Sequence, residues 1–291
     1  MSVGFTLQPL GPFSLRAAAA FWGGFAPAVH AGLDEQGHLH MAFPVEGSWA
    51  SVGVCLRQVD DAIVGAAFGA IDDVASVATQ TARILSLDVD GRAFEEIGRR
   101  DPIAGELQRR FPGLRPVCFY APYEAAAWAI ISHRIHRQHA ATIKTRLCEA
   151  LGETVDIHGQ PMRAFPAPQQ LLGVAELPGL SGRKPDNLRA VAQAALAGRL
   201  DAAYLRSLPD EQALASLQEL PGIGPFGAQL ILLRGAGHPD YLTFVEPKFR
   251  QALGRAYGLD AEPSDADLRR VSQAWRPYRM WVTFLLRQQA A

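Results

Sequence analysis

The stretch that decides the fold reads Leu220-Pro221-Gly222-Ile223-Gly224-Pro225-Phe226-Gly227-Ala228. Gly222 and Gly224 can take backbone angles closed to other residues, and their missing side chains let another molecule approach the main chain. Pro225 suits the first position of a helix, where no amide hydrogen is needed. We therefore predict a helical hairpin over residues 210–234, with amides from Gly222 to Gly227 that point outward and suit a phosphate.

An acidic residue comes after this bend in an extended, apolar setting. Glu246 comes 22 residues after Gly224, within Thr243-Phe244-Val245-Glu246-Pro247-Lys248. A phosphate-binding bend followed by a carboxylate indicates chemistry on nucleic acid. Asp240 is the nearest competing acid, but its setting in His238-Pro239-Asp240 is typical of a turn. Glu246 is therefore the candidate for catalysis.

The bend and the acid together resemble the helix-hairpin-helix DNA glycosylases, most closely bacterial 3-methyladenine DNA glycosylase II. Weaker similarities lie at residues 111–116, 129–132, 164–169 and 275–279. The resemblance implies a monofunctional N-glycosylase that excises alkylated bases, expected to be purines, by base flipping in base excision repair. The alternative is a catalytically weak or inactive protein that binds DNA and senses lesions, because glutamate stands where the family has its catalytic aspartate.

The resemblance also assigns roles to individual residues. One carboxylate, Glu246, would stabilise the cationic sugar and orient water. Phe226 stands where bifunctional relatives carry a lysine, so we predict no lyase activity. The expected DNA contacts are Gly222, Ile223, Gly224, Phe226, Gly227, Lys248, and Arg134 or Ile135 as the side chain that fills the gap left by the flipped base. The expected base pocket comprises Tyr123, Trp128, Phe226 and Arg287, with Tyr123 and Trp128 alternatively placed in the core.

Composition and charge agree with a globular DNA-binding protein. The 291 residues are 48% hydrophobic and 20% charged, and the net charge is −1. This charge is divided unequally, as −7 over residues 1–108 and +6 over residues 109–291, the part that carries the hairpin. We expect double-stranded DNA with a damaged base as the partner and a monomeric protein. An arginine-rich, solvated surface is the alternative interpretation of the basic charge.

The sequence contains no sign of a membrane segment. Its first residues lack the basic region and long apolar run of a signal peptide, and no apolar run approaches the roughly 20 residues that span a bilayer. We therefore expect a cytoplasmic protein of the bacterial cytosol and nucleoid.

Metal sites are not expected from the sequence. Cys55, Cys118 and Cys148 are widely spaced and too few for a four-cysteine zinc or iron–sulfur site. Histidines at positions 133, 136 and 139 lack the His-x-x-x-His spacing of helical zinc sites. No cofactor is implied, with a monovalent cation at the hairpin left open, as relatives use one there.

We predict an α+β fold, in which an N-terminal antiparallel sheet with helices precedes a mostly α-helical helix-hairpin-helix glycosylase core. Apolar alternation over residues 39–45 and 52–56 predicts strands with one buried face. Residues 34–37 predict a turn between Val29 and Leu39. The predicted domains are 1–108 and 109–291, with the C-terminal helices packed against 109–122. Helices are predicted from Asp73 onward to residue 85, and at 123–151 with a break near Ser132, 169–174, 184–197, 210–220, 225–234, 248–257, 265–275 and 277–289.

Overall fold

The N-terminal part is built on a four-stranded antiparallel sheet, as predicted, in the strand order β1-β4-β3-β2. The computed structural model describes residues 2–24, 33–260 and 262–289. The strands are β1 (Ser2–Leu7), β2 (Leu39–Pro44), β3 (Ser51–Val59) and β4 (Ala62–Gly69). Helices α1 (Leu15–Gly23) and α2 (Val74–Ile84) share one apolar cluster with the sheet. Asp73 caps α2 by accepting the amides of Ala75 and Ser76, which confirms the predicted helix start.

A small hairpin from the helical half covers the other face of this sheet. It consists of β5 (Thr154–Ile157) and β6 (Gln160–Arg163), which pair antiparallel. A Cβ placed on Gly53 would lie 2.6 Å from Ile157 Cγ1, so this glycine lets the hairpin approach β3 closely. All six residues of β2 are buried. The prediction of one buried face was wrong for β2 and for residues 52–56 of β3, because no local pattern indicates that residues 154–163 cover the second face of the sheet.

The predicted turn before β2 is present. Asp34 Oδ1 accepts hydrogen bonds from the amides of Gln36 at 2.9 Å and His38 at 2.8 Å. An isolated bridge between Leu33 and Leu39 closes the turn. Val29, the predicted partner on the other side, lies outside the described residues.

The remainder is mostly helical, as predicted. Its helices are α3 (Phe94–Arg100), α4 (Pro102–Arg110), α5 (Pro122–Ser132), α6 (Arg137–Leu151), α7 (Pro168–Leu172), α8 (Lys184–Leu196), α9 (Ala202–Ser207), α10 (Asp210–Gln218), α11 (Pro225–Leu230), α12 (Pro247–Tyr257), α13 (Asp265–Ser272) and α14 (Arg279–Gln289). The break after Ser132 is confirmed, and α11 runs on into a π-helical turn at Ile231–Gly235. Across the described ranges, no helix is both long and apolar enough to traverse a bilayer.

The helical region has two apolar clusters. One joins α5, α8, α10 and α11, and the other is formed chiefly by α12, α13 and α14. The second cluster also contains Ile97, Ala104, Leu107 and Leu114. The C-terminal helices therefore pack against residues on both sides of the predicted boundary at 108, which itself falls within α4.

A buried ion pair joins the sheet to the hairpin helices. Arg83 pairs with Glu46 and also donates to the carbonyl of Gly235 at the end of the π-helical turn. Glu46 Oε2 accepts the amide of Ala202 at 3.1 Å. Burial raises the pKa of Glu46, against the opposing effect of the Arg83 charge. This pair fixes the end of the second hairpin helix relative to the sheet.

Candidate active site

The glycine bend has the conformation predicted at its first glycine. Leu220 and Ile223 are both 5% exposed, and the Ile223 amide donates to the Leu220 carbonyl at 3.0 Å. Gly222 has φ +84°, in the left-handed region. A Cβ added there would lie 2.3 Å from Asn187 Nδ2 on α8. The backbone angle of Gly222 therefore favours glycine, and a side chain at this position would have to displace the amide group of Asn187.

Of the two features predicted for the glycines, the second glycine shows only the open space beside the main chain. Gly224 has φ −93° and ψ −175°, an extended conformation that any residue can adopt. The expectation of a glycine-only backbone angle was wrong at this position. A Cβ added to Gly224 would meet nothing within 4 Å. What glycine provides here is open space beside the main chain, as required for close approach by another molecule.

Helix α11 begins directly after Gly224, with Pro225 at the predicted first position. Its first hydrogen bond runs from the Ala228 amide to the Gly224 carbonyl at 2.9 Å. The amides of Phe226 and Gly227 therefore precede the helical hydrogen-bond ladder, where helix termini favour anions. The Phe226 residue is 54% exposed, whereas Gly227 is buried, and a Cβ added to Gly227 would lie 3.4 Å from Ala129 Cβ on α5.

One cavity joins the hairpin to the candidate catalytic acid. Phe226 and Glu246 both line it, and Arg287 of α14 lines it from a third side. Its volume is about 50 Å³. This holds one or two water molecules but not a purine, since one water occupies roughly 30 Å³ in the liquid. The arrangement brings an exposed aromatic ring, a carboxylate and a guanidinium to one small opening.

Glu246 is positioned by the start of α12. It occupies the N-cap position with Pro247 next, and its backbone carbonyl accepts the Arg250 amide at 3.2 Å. Its side chain makes no capping hydrogen bond. The carboxylate instead pairs with Arg287, with Nη2 of the arginine 2.9 Å from Oε1, and the side chain is 13% exposed. The carboxylate therefore lines the cavity and does not cap the helix.

A second guanidinium lies in the wall of this cavity. Burial lowers the pKa of Arg234 to about 10, which still leaves it charged at neutral pH, and Glu246 contributes a small opposing effect. Arg234 Nε donates to the Val117 carbonyl at 2.9 Å, and its guanidinium carbon lies 5.1 Å from the Phe284 ring centroid. Glu246 therefore lies in a positive environment.

Two buried polar residues of the cavity were missed by the sequence analysis. Thr243 Oγ1 donates to Gln229 Oε1 at 2.7 Å, and both residues are more than nine-tenths buried. Gln229 comes three positions after Phe226 on α11, so the two share a helix face. That spacing could have indicated its place in the cavity.

The loop between α5 and α6 holds the predicted inserting residues. Arg134 is exposed and has φ +57°, which is uncommon for a residue with a side chain. Ile135 is half-buried and packs against the helical core. Lys184 Nζ donates to the Ile131 carbonyl at 2.7 Å, just before this loop. Of the two candidates, Arg134 is the one whose side chain extends from the surface. Lys248 is likewise exposed, in the first turn of α12.

Tyr123 and Trp128 do not line the cavity. Tyr123 is 1% exposed and donates its hydroxyl to the Pro166 carbonyl at 3.1 Å, while Trp128 is 8% exposed in the same core cluster. Both are therefore core residues, the alternative interpretation, and not part of the base pocket. The reason is that both lie on α5, a helix buried on almost every side. Phe226 and Arg287 remain as predicted pocket residues.

Asp240, the competing acid, is held by Arg279 with Nε 2.8 Å from Oδ1.

Comparisons with known proteins identify relatives in sequence and in fold. No family model matches the chain. A Mycobacterium tuberculosis protein named "Probable bifunctional transcriptional activator/DNA repair enzyme AlkA" is 30% identical over 219 residues, 73% of this chain and 43% of that relative. Escherichia coli DNA-3-methyladenine glycosylase 2 is 30% identical over 183 residues, 61% of each chain. The aligned part therefore spans less than two thirds of either relative.

Solved structures share the fold over nearly the whole chain. The 3-methyladenine DNA-glycosylase from Archaeoglobus fulgidus has a TM-score of 0.79 at 20% identity, covering 97% of this chain and 96% of the other. The Clostridium acetobutylicum 8-oxoguanine glycosylase/lyase, in complex with double-stranded DNA, has a TM-score of 0.67 at 16% identity, covering 96% and 92%. The chain therefore has the fold of the helix-hairpin-helix DNA glycosylases and resembles bacterial 3-methyladenine DNA glycosylase II in sequence.

Proposed function

We propose that this protein is a monofunctional DNA N-glycosylase that flips an alkylated purine out of duplex DNA and excises it with Glu246. The proposal rests chiefly on one observation, the cavity lined by both Phe226 of the hairpin and Glu246. The names of the relatives, 3-methyladenine glycosylases, support alkylated bases as the substrate class.

The hairpin of a single protein monomer would bind the DNA backbone. Gly224 leaves open space beside the main chain, and the amides of Phe226 and Gly227 precede the helical ladder. Lys248 adds an exposed cation two residues after Glu246. These contacts would carry no base information, since they reach only phosphate. No cofactor is proposed beyond a monovalent cation at the hairpin.

A flipped base requires the cavity to open. Its volume of about 50 Å³ is too small for a purine. The two residues at its edge have room to rotate, because Phe226 is 54% exposed and the Arg287 side chain 36%. We propose that Arg287 leaves Glu246 for a DNA phosphate, which both admits the base and frees the carboxylate.

The chemistry then needs one carboxylate. The bond between the sugar carbon and the base nitrogen breaks with its electron pair going to the base, which an alkylated, positively charged purine accepts readily. The Glu246 carboxylate stabilises the cationic sugar and orients the water that adds to it, and the water's proton passes to Glu246 and then to solvent. The products are a free base and an abasic site. Phe226 has no amine for a Schiff base, so the strand stays intact.

The second candidate function is a DNA-binding protein that senses lesions without excising them. The glutamate at the catalytic position, its pairing with Arg287 at 2.9 Å and the small cavity favour this alternative. The two functions share every binding property and differ in turnover alone.

The deciding experiment measures base release from methylated duplex DNA by the wild type, Glu246→Gln and Glu246→Asp. Glutamine keeps the shape of glutamate but removes its charge, so release should be lost while duplex binding is retained. Unchanged release in Glu246→Gln would remove this residue from the mechanism. A wild type that binds duplex but releases nothing from a broad panel of lesions would favour the sensing function. Borohydride should trap no covalent DNA adduct, whereas a trapped adduct would contradict the monofunctional assignment.

A further inference from the structure

We propose that His38, His40 and Cys55 form a zinc-binding site in the N-terminal part, apart from the Glu246 cavity. Each of the three offers one ligand atom, and these atoms all lie within 4.8 Å of one another. They gather in the seam between the four-stranded sheet and the β5–β6 hairpin, where the ring of His158 lies 6.1 Å from that of His40. The inference is independent of the proposed glycosylase function.

Strand pairing brings the three residues together. His38 and His40 are two positions apart, so their side chains point to the same side of the chain. His40 is the direct cross-strand partner of Cys55 in the β2–β3 register. The face they share is opposite to the one on which Met41 and Val54 join the apolar core. No spacing motif in the sequence predicts this grouping, because Cys55 lies on the neighbouring strand β3.

The site is enclosed and contains an unsatisfied polar atom. His40 is 9% exposed and Cys55 8%. Within the described part of the chain, His40 Nε2 is buried and has no hydrogen-bond partner. Leaving such a group unpaired costs about 1–3 kcal/mol. A metal ion bound by this nitrogen would remove that cost.

A fourth ligand would come from Asp34, whose carboxylate lies beside the group of three but is not within 4.8 Å of all their ligand atoms. Its Oδ2 lies 3.5 Å from His38 Nδ1 and 3.7 Å from His40 Nε2. Its other oxygen, Oδ1, is occupied by the amides of Gln36 and His38, which hold the carboxylate in this direction. Two imidazoles, one thiolate and one carboxylate make four ligands, the number found in structural zinc sites.

The donor set favours zinc over the hard cations. Ca²⁺ and Mg²⁺ prefer oxygen ligands, whereas nitrogen and sulfur donors suit Zn²⁺. Zinc bonds of about 2.0–2.1 Å to nitrogen and 2.3 Å to sulfur at tetrahedral angles place ligand atoms about 3.4–3.6 Å apart, so atoms that now lie up to 4.8 Å apart have to move together by about 1 Å. On binding, the Cys55 thiol forms a sulfur–zinc bond and its proton passes to solvent, with no electron transferred.

The test is a titration of the chelator-stripped full-length chain with Co²⁺, a spectroscopic substitute for zinc. One equivalent should produce a thiolate-to-cobalt charge-transfer band, and Zn²⁺ should abolish it by displacement. Cys55→Ser should lose the band, and Cys148→Ser, a matched change of a thiol on α6 outside the group, should keep it. No band in the wild type, or the same band in Cys55→Ser, would overturn the site.

Folding of the variants is checked by circular dichroism. If Cys55→Ser fails to fold, the wild type alone decides the question by zinc X-ray absorption of the loaded protein. One sulfur among nitrogen and oxygen ligands is the expected coordination shell. A shell without sulfur would refute the proposal, as would a midpoint of thermal unfolding that zinc leaves unchanged.

Discussion

The tripeptide Leu-Pro-Gly occurs twice in this chain, and the two turns have the same local structure. We refer to them as the 177 turn (residues 177–180) and the 220 turn (residues 220–223). Their leucines are 4% and 5% exposed, and their glycines have φ +76° and +84°. In each, the amide after the glycine donates to the leucine carbonyl, at 3.2 Å and 3.0 Å. The tripeptide therefore specifies a turn and a buried anchor, but no function.

The two turns differ in the chain segment that comes directly after each of them. After the 220 turn, Gly224 leaves open space and α11 begins at once, which places Phe226 on the cavity that contains Glu246. After the 177 turn, three residues intervene before α8, whose first residue Lys184 donates to the Ile131 carbonyl. One turn presents a helix start beside an acid, and the other supports the end of α5. Matched substitutions at the two turns can test this contrast.

The largest effect is expected from the acid beside the 220 turn. Glu246→Gln should reduce base release by about 10²-fold or more, the typical loss when one preorganised electrostatic group is removed. Glu176→Gln makes the same charge change at the exposed residue before the 177 turn and should leave release unchanged. Single-turnover release from methylated duplex compares the two variants. Equal losses would mean that net charge, and not the cavity, matters.

Next come the two left-handed glycines. An alanine in this conformation costs about 1–2 kcal/mol, so Gly179→Ala and Gly222→Ala should both lower the free energy of unfolding. The loss should be greater at Gly222, because its new Cβ would lie 2.3 Å from Asn187 Nδ2, whereas at Gly179 the nearest atom, Ile143 Cγ1, lies at 3.3 Å. Urea unfolding measures both. Adding Asn187→Ala should make the two losses similar, and a persistent difference would point to another cause.

A smaller effect is expected at Gly224. Valine fits its extended backbone and open surroundings, so stability should be kept while duplex affinity falls about tenfold, or about 1.4 kcal/mol, because a phosphate loses access to the main chain. The loss should be the same for all DNA sequences. Ser181→Val, two residues after Gly179 as Gly224 is after Gly222, should leave affinity unchanged. Fluorescence anisotropy with several duplexes measures this, and a sequence-selective loss would argue against a backbone contact.

The smallest effect concerns the 177 turn itself. Lys184→Met removes the hydrogen bond to the Ile131 carbonyl and should cost about 1 kcal/mol of folding free energy. Burial lowers the pKa of this lysine, so the methionine also removes a partly desolvated charge, which limits the loss. Thermal unfolding measures the change, with Arg183→Met at the exposed neighbour as the control. If Lys184→Met reduced base release without lowering stability, the 177 turn would have a role in function, contrary to the purely structural role inferred above.

Much of the fold could be predicted because its signals are local. The carboxylate of Asp73 caps α2, and Pro225 starts α11, since each acts on amides within its own turn of helix. The alternation in β2 predicted a strand for the same reason. The same alternation wrongly predicted that only one face of β2 is buried, because the β5–β6 hairpin that covers the second face comes from more than a hundred residues away. The predicted roles of Glu246, Phe226 and Arg287 came from the resemblance, since spacing alone would not indicate them.

By itself the sequence determined the glycine bend, the helices other than α1, α3, α4 and α9, and the position of an acid after the bend. These features depend on backbone angles and caps set by neighbouring residues. Only the tertiary structure decided that Arg287 pairs with Glu246, that Tyr123 and Trp128 belong to the core, and that Cys55 lies opposite His40. These are contacts between residues far apart in the chain. They exist only after apolar burial has fixed helices and strands against one another, and no local pattern records which side chains will then meet.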